Sequence, residues 1–133
     1  MRFLCLYKPS KPEGTPPTEQ EMAEMGKLIE DQMKSGTLLA TEGCLPSAKG
    51  ARIRLSGGKY SVTDGPFTES KELVAGFAII RSNSKQEAIE QVKNFLKVAG
   101  DGETEIREIF EGVSCVDSDS SENIHQLLEN AWS

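Results

Sequence analysis

Five consecutive apolar positions, Phe3, Leu4, Cys5, Leu6 and Tyr7, open the chain and predict a strand buried on both faces. Pro9, Pro12, Pro16 and Pro17 follow; proline blocks strand and helix alike, so this stretch reads as a loop. Thr18 and Glu21 have capping-box spacing, and Met22, Met25, Gly26, Ile29 and Met33 then recur at helical spacing until Gly36 ends the helix. The methionines read as core packing, since flexible thioethers fill irregular gaps. Short extended pieces come next, Leu38 to Ala40, Ala51 to Leu55 and Lys59 to Thr63, the last two joined across Gly57-Gly58 as a hairpin. Glu72 to Ile80 predicts another strand with apolar residues on both faces. Ser84 and Glu87 repeat the capping pattern, and Ala88, Ile89, Val92, Phe95, Leu96 and Ala99 make a second amphipathic helix that stops at Gly100. Thr104 to Phe110 is the last strand.

This order predicts an α+β, ferredoxin-like arrangement with an antiparallel sheet and both helices on one face. Two helices cover only one face, yet the first strand and the Val74 to Ile80 strand are apolar on both. Burial is worth roughly 25 cal/mol per Å², so the uncovered face favours association, and a homodimer packed sheet against sheet is the simplest closed solution. The competing expectation is a monomer whose long loop or C-terminal tail folds over that face.

Composition narrows the picture. The 133 residues make one domain, with 15 Lys+Arg against 21 Asp+Glu and a formal charge of -6. Residues 114–133 contain Asp117, Asp119, Glu122 and Glu129 and no Lys or Arg, which leaves residues 1–113 near neutrality at -2. The chain therefore divides into a body, 1–113, and an acidic extension, 114–133, whose Ile124, Leu127, Leu128 and Ala131 mark a short helix with Trp132 as a candidate anchor. No basic stripe with interleaved aromatics is present, so nucleic acid is not an expected partner. No apolar run approaches the roughly 20 residues that cross a bilayer, and no signal peptide opens the chain, so the expectation is a cytoplasmic protein without membrane contact. Cys5, Cys44 and Cys115 are widely spaced and His125 is the single histidine, which excludes the usual zinc spacings; neither metal nor cofactor is expected. Cys5 reads as a core thiol and His125 as a solvated helix residue.

The densest chemistry lies in Asp64-Gly65-Pro66-Phe67-Thr68-Glu69-Ser70-Lys71-Glu72. Asp-Gly-Pro is turn chemistry, and Glu69, Lys71 and Glu72 crowd the entrance to an apolar strand, where desolvation can move proton affinities. Asp64 is the candidate general base, or else a side chain that stabilises the turn. Arg54 and Arg107 are the second element: an Arg on an inner sheet face needs a carboxylate partner or an anionic ligand. Either a salt bridge with Glu42, Glu69 or Glu72 answers this, or the two arginines orient a small carboxylate near Asp64 and Lys71.

From Asp64 through Leu73-Val74-Ala75-Gly76-Phe77, the segment resembles the signature of the YCII-related proteins, in their DGPF branch. The likeness extends to Gly43-Cys44-Leu45-Pro46, Lys49-Gly50-Ala51-Arg52, Ser84 to Ile89 and Glu105-Ile106-Arg107, and covers residues 1–113. It implies a dimeric α+β barrel and a cleft beside the sheet that binds small molecules, with Phe67 of the motif among the ligand contacts. Some members carry a His with an Asp as an acid/base pair; the body here has no histidine, and His125 lies outside the matched region. Two functions follow as expectations. One is an isomerase- or lyase-like enzyme acting on a small anionic metabolite, with Asp64 catalytic and Arg54, Phe67, Glu69, Lys71, Glu72 and Arg107 binding. The other is a ligand-sensing or regulatory accessory protein without catalysis.

Overall fold

The computed structural model describes residues 1–67 and 73–111. Its elements run β1 (Arg2–Pro9), α1 (Glu19–Lys34), β2 (Leu38–Gly43), a 3-10 turn (Ser47–Lys49), β3 (Ala51–Ser56), β4 (Lys59–Asp64), β5 (Gly76–Arg81), α2 (Lys85–Ala99) and β6 (Gly102–Glu108). A four-stranded sheet has the order β2-β5-β1-β6, every neighbour antiparallel. This is the ferredoxin-like arrangement, with the β3–β4 hairpin inserted between β2 and β5 as a separate two-stranded sheet. The two-sided apolar runs are the central strands β1 and β5, as burial of a central strand requires.

Register assigns the faces. Phe3 lies opposite Ile80, and Cys5 lies opposite Ala78 and Ile106. Phe3, Cys5, Leu38, Ile80 and Ala88 form the buried core, with Ile29, Ala78, Val92 and Ile106 packed on it, so α1 and α2 cover this face. The intervening residues Leu4, Leu6, Phe77 and Ile79 are also paired with one another, and they occupy the opposite face. Those four are half-buried, and among the described residues no helix packs on them.

Both helices begin at the expected hydroxyl caps: Thr18 Oγ1 accepts from the Glu21 N–H and Ser84 Oγ from the Glu87 N–H, each at 3.1 Å. The capping box is incomplete at α2, where Glu87 reaches back to the Asn83 N–H instead of the cap's own. Gly36, at φ 78°, ends α1 in a Schellman motif in which the Thr37 N–H bonds Gln32 and the Gly36 N–H bonds Met33.

Several boundaries differ from expectation: β1 runs on through Pro9 and β2 through Gly43, each held by its neighbour in the sheet. The strand expected from Glu72 begins at Gly76, and Leu73–Ala75 is irregular, although Ala75 still donates to Tyr7 O and accepts from Cys44 N. Apolar content alone therefore overextends a strand where the chain is still crossing from the hairpin to the sheet. The last strand also runs two residues earlier than expected, ending at Glu108, because its pairing with β1 reaches back to Gly102 opposite Pro9.

Candidate functional site

A cavity of about 1320 Å³ opens between the helix-bearing face of the sheet, both helices and the proline-rich loop before α1. Its inner wall is apolar, with Met25, Ile29, Ile80, Val92 and Phe95. The volume exceeds the roughly 300–1,000 Å³ of ordinary ligand pockets. It exists because α1 stands off from the sheet. No α1 residue is buried, Met22 is 53% exposed, and a methyl group built on the cavity-lining Gly26 would meet no atom within 4 Å. Met22 and Met25 thus form a cavity wall, which corrects their reading as core packing.

The mouth is built by a small latch. The Glu13 carboxylate, on the proline-rich loop, accepts from the Ser47 N–H at 2.7 Å and the Ser47 hydroxyl at 2.6 Å. Ser47 Oγ in turn accepts the Phe67 N–H at 3.0 Å. Gly65, joined to Pro66 by a cis peptide, bonds Gly50 O, and any Cβ on it would collide with the Ser47 carbonyl. Glycine is therefore required there by close backbone approach. Phe67 is half-buried and lines the cavity, and the Arg52 guanidinium lies 3.9 Å from its ring centroid. Lys11, also lining the cavity, is paired with Glu21 at 3.4 Å.

The candidate residues separate into groups. Phe67 is in the cavity wall. Asp64 is exposed at the end of β4, opposite Ala51, and is not among the cavity-lining residues. Arg54 is exposed on the hairpin opposite Ser61. Arg107 lies on the helix-free face, its side chain 70% exposed, and pairs with Glu105 at 3.3 Å. The carboxylate partners expected for it were Glu42, Glu69 and Glu72; among the described residues its ion pair is with Glu105, through the local i,i+2 geometry of β6. Hydrogen bonds from Arg107 and Lys8 hold the Glu105 carboxyl below its usual range. Arg54 and Arg107 are thus on different surfaces, and the structure does not bring them together around one ligand. Glu69, Lys71 and Glu72 lie outside the described residues, as do Cys115, His125, Trp132 and the expected tail helix.

Inside the cavity, Tyr7 donates to Ala99 O at 3.4 Å and meets Phe95 edge to face, with ring centroids 5.2 Å apart. Burial, then the Asp101 and Glu21 carboxylates, push its phenol pKa up. Burial also raises the Cys5 thiol to about 11, which keeps it protonated and inert. Cys44, at the mouth, is exposed. Among the described residues no His, Cys, Asp and Glu cluster could hold a metal ion, and no helix is long and apolar enough to cross a membrane. Sequence reasoning missed the proline-rich loop as a wall and Glu13 as its tether. The signal was the one carboxylate in a segment dominated by proline, glycine and threonine, but its partner Ser47 is 34 residues away.

Comparison with known proteins bears on family and fold. A family model described as the YCII-related domain matches residues 1–113. An uncharacterized protein of Rhizobium meliloti (strain 1021) is 32% identical over 72 residues, which make up 54% of this chain and 58% of that protein. The match thus spans little more than half of the relative's length. Among solved structures, 5-chloro-2-hydroxyhydroquinone dehydrochlorinase from Burkholderia phenoliruptrix AC1100, in complex with 2,5-dihydroxybenzoquinone, is similar at a TM-score of 0.50 and 18% identity. The likeness covers 84% of this chain and 96% of that one, and it is a likeness of fold.

Proposed function

We propose, from the premise that the chain belongs to the YCII-related family, that this protein binds a small molecule with an apolar body in the cavity beneath α1. The observation that carries the reading is the cavity itself: an apolar chamber of about 1320 Å³ whose mouth is built by the motif residue Phe67. The lining is apolar and opens to solvent, so a ligand with an apolar body gains by removing that surface from water. A polar end fits at the mouth, where Lys11 and Glu13 join the lining. Self-association through the helix-free face, as a homodimer, is part of the proposal and is supported by the apolar Leu4, Leu6, Phe77 and Ile79 being paired there with no covering helix among the described residues.

The test is binding to a filled cavity. Nile red, a neutral apolar dye, and benzoate, a small anionic ring, serve as probes for fluorescence titration and thermal stabilisation of the full chain. Both are expected to act on the natural sequence and to lose their effect in Gly26→Phe, which occupies the open space. Equal responses in the two proteins, or none in the natural sequence, would overturn the cavity as the site.

A second reading, acid/base catalysis with Asp64 as base, is favoured by the position of Asp64 three residues before Phe67 at the mouth. The structural neighbour is a dehydrochlorinase, which makes elimination the chemistry to try first. Asp64→Asn that retains benzoate binding and loses turnover supports catalysis. Unchanged turnover removes Asp64 from the mechanism and leaves the binding role.

A further inference from the structure

We infer that Gln91 selects the ligand, by donating an amide N–H to a neutral carbonyl group at the inner end of the bound molecule. The inference rests on the cavity proposed above as the binding site and names the chemical class which that site takes. Register gives the cavity its direction. Tyr7, Gly43 and Gly76 lie side by side at the end of the sheet nearest the mouth, and Phe3, Leu38 and Ile80 lie side by side at the other. On α2, Phe95 packs against Tyr7 at the mouth end, and Gln91, about one turn earlier, lies toward the inner end; both line the cavity.

The Gln91 amide is pinned in one orientation. Ser82, one residue beyond β5 and 3% exposed, donates its hydroxyl to Gln91 Oε1 at 2.7 Å. The flipped amide would set Nε2 against the Ser82 hydroxyl, whose proton would then have no acceptor among the described residues. With its oxygen committed, the amide keeps two N–H donors, which have no partner among the described residues. Nor is the nitrogen sealed in. The fully enclosed polar side-chain atom without a partner among the described residues is Thr104 Oγ1, so Gln91 Nε2 is open, and Gln91 faces the cavity.

The surroundings set the class of group. The charged residues of the described lining, Lys11, Glu13, Glu21 and Glu42, belong to the proline-rich loop, the first turn of α1 and the end of β2 beside Gly43, all at the mouth end. The inner end is apolar, with Ile29, Leu38, Ile80 and Val92. A carboxylate carried there would lose its hydration with no cation to replace it. A neutral carbonyl needs one donor and finds it. Gln32 of α1 also lines the cavity, but among the described residues no hydrogen bond holds its side-chain amide, so it offers donor or acceptor equally. A fixed donor in an apolar chamber disfavours a hydrocarbon of the same shape, which would leave the N–H unpaired.

Acetophenone and α-methylstyrene, equal in shape but with and without a carbonyl oxygen, are the probes, and displacement of Nile red from the full chain gives their affinities. The natural sequence is expected to prefer the ketone, and Gln91→Met to reduce that preference by about threefold to tenfold, the worth of one neutral hydrogen bond. Gln91→Glu, ionised, keeps an acceptor for Ser82 and presents no donor, so it should lose the preference without exposing Ser82. Affinity for α-methylstyrene should be unchanged in both variants, which shows the cavity intact. Isotope-labelled acetophenone bound to the natural sequence should also show its carbonyl carbon resonance downfield of its position in alkane, a readout that needs no variant. If neither probe binds the natural sequence, the cavity reading falls and this inference with it. A bound ketone whose carbonyl resonance stays at the alkane position, or a preference unchanged in both variants, overturns the role of Gln91 and leaves the cavity as the site.

Discussion

The two helices start alike and end in different environments. Each has a hydroxyl cap at 3.1 Å and an apolar stripe facing the same side of one sheet. On α2, Ala88 is fully buried and Phe95 packs edge to face on Tyr7. On α1, nothing is buried, and the cavity lies beneath it. The difference follows from side-chain size at the contact. Ala88 lets the α2 backbone approach the strands closely, whereas the long Met22, Met25 and Ile29 side chains and the bare Gly26 leave α1 standing off. Amphipathicity decides which face turns inward; it does not decide how closely that face approaches.

The sharpest way to break this contrast is truncation on each side. Phe3→Ala, at the centre of the packed region and 2% exposed, is expected to cost about 3–5 kcal/mol in chemical denaturation. Met22→Ala should change stability by no more than about 0.5 kcal/mol, as for an exposed surface position. Comparable losses would show that α1 is packed as tightly as α2.

Additions should act in the opposite sense. Ala88→Leu is expected to lose about 1–3 kcal/mol, because the site has no room. Gly26→Ala is expected to gain about 1 kcal/mol, since the helix interior disfavours glycine and the new methyl meets open space. Thermal melts of the two variants should therefore move in opposite directions, and a loss in Gly26→Ala would mean that the gap under α1 is closed in solution.

At neutral pH the smallest expected effect is electrostatic, because it emerges only on the alkaline side, and it belongs to the packed side. The Cys5 thiol is raised from 9.0 to about 11, so the folded state holds a proton that the unfolded chain gives up. Stability from this group is complete below pH 9.0 and is lost as pH rises to about 11. Tyr7, shifted upward for the same main reason, acts in the same direction. Cys5→Ser should flatten the alkaline limb of the stability profile, and a thiol reagent at neutral pH should modify exposed Cys44 well before Cys5. Equal labelling of the two would contradict the burial of Cys5.

Much of the fold was legible because its signals are local. Thr18 and Ser84 as caps, Gly36 and Gly100 as stops, Gly57-Gly58 as the hairpin turn and the two-sided strands each depend on a few neighbouring residues. The site was legible in one respect, the motif that delivers Phe67 to the mouth. It was illegible where it depends on distance in sequence. Glu13 meets Ser47 across 34 residues, and Phe67 reaches the same Ser47 across 20.

The sequence by itself determined the order of elements, the faces of each strand and helix, the neutral body with its acidic extension, and membership of the YCII-related family. Only the tertiary structure decided that α1 stands over a cavity, that Asp64 lies outside its wall, that Arg54 and Arg107 occupy separate surfaces, and that the β3–β4 hairpin stands exposed. The physical reason is one of range. Hydrogen-bonded caps, turns and periodicities are fixed by residues within a turn or two of one another, whereas a cavity is the space left over when side chains from the loop, both helices and the sheet fail to meet.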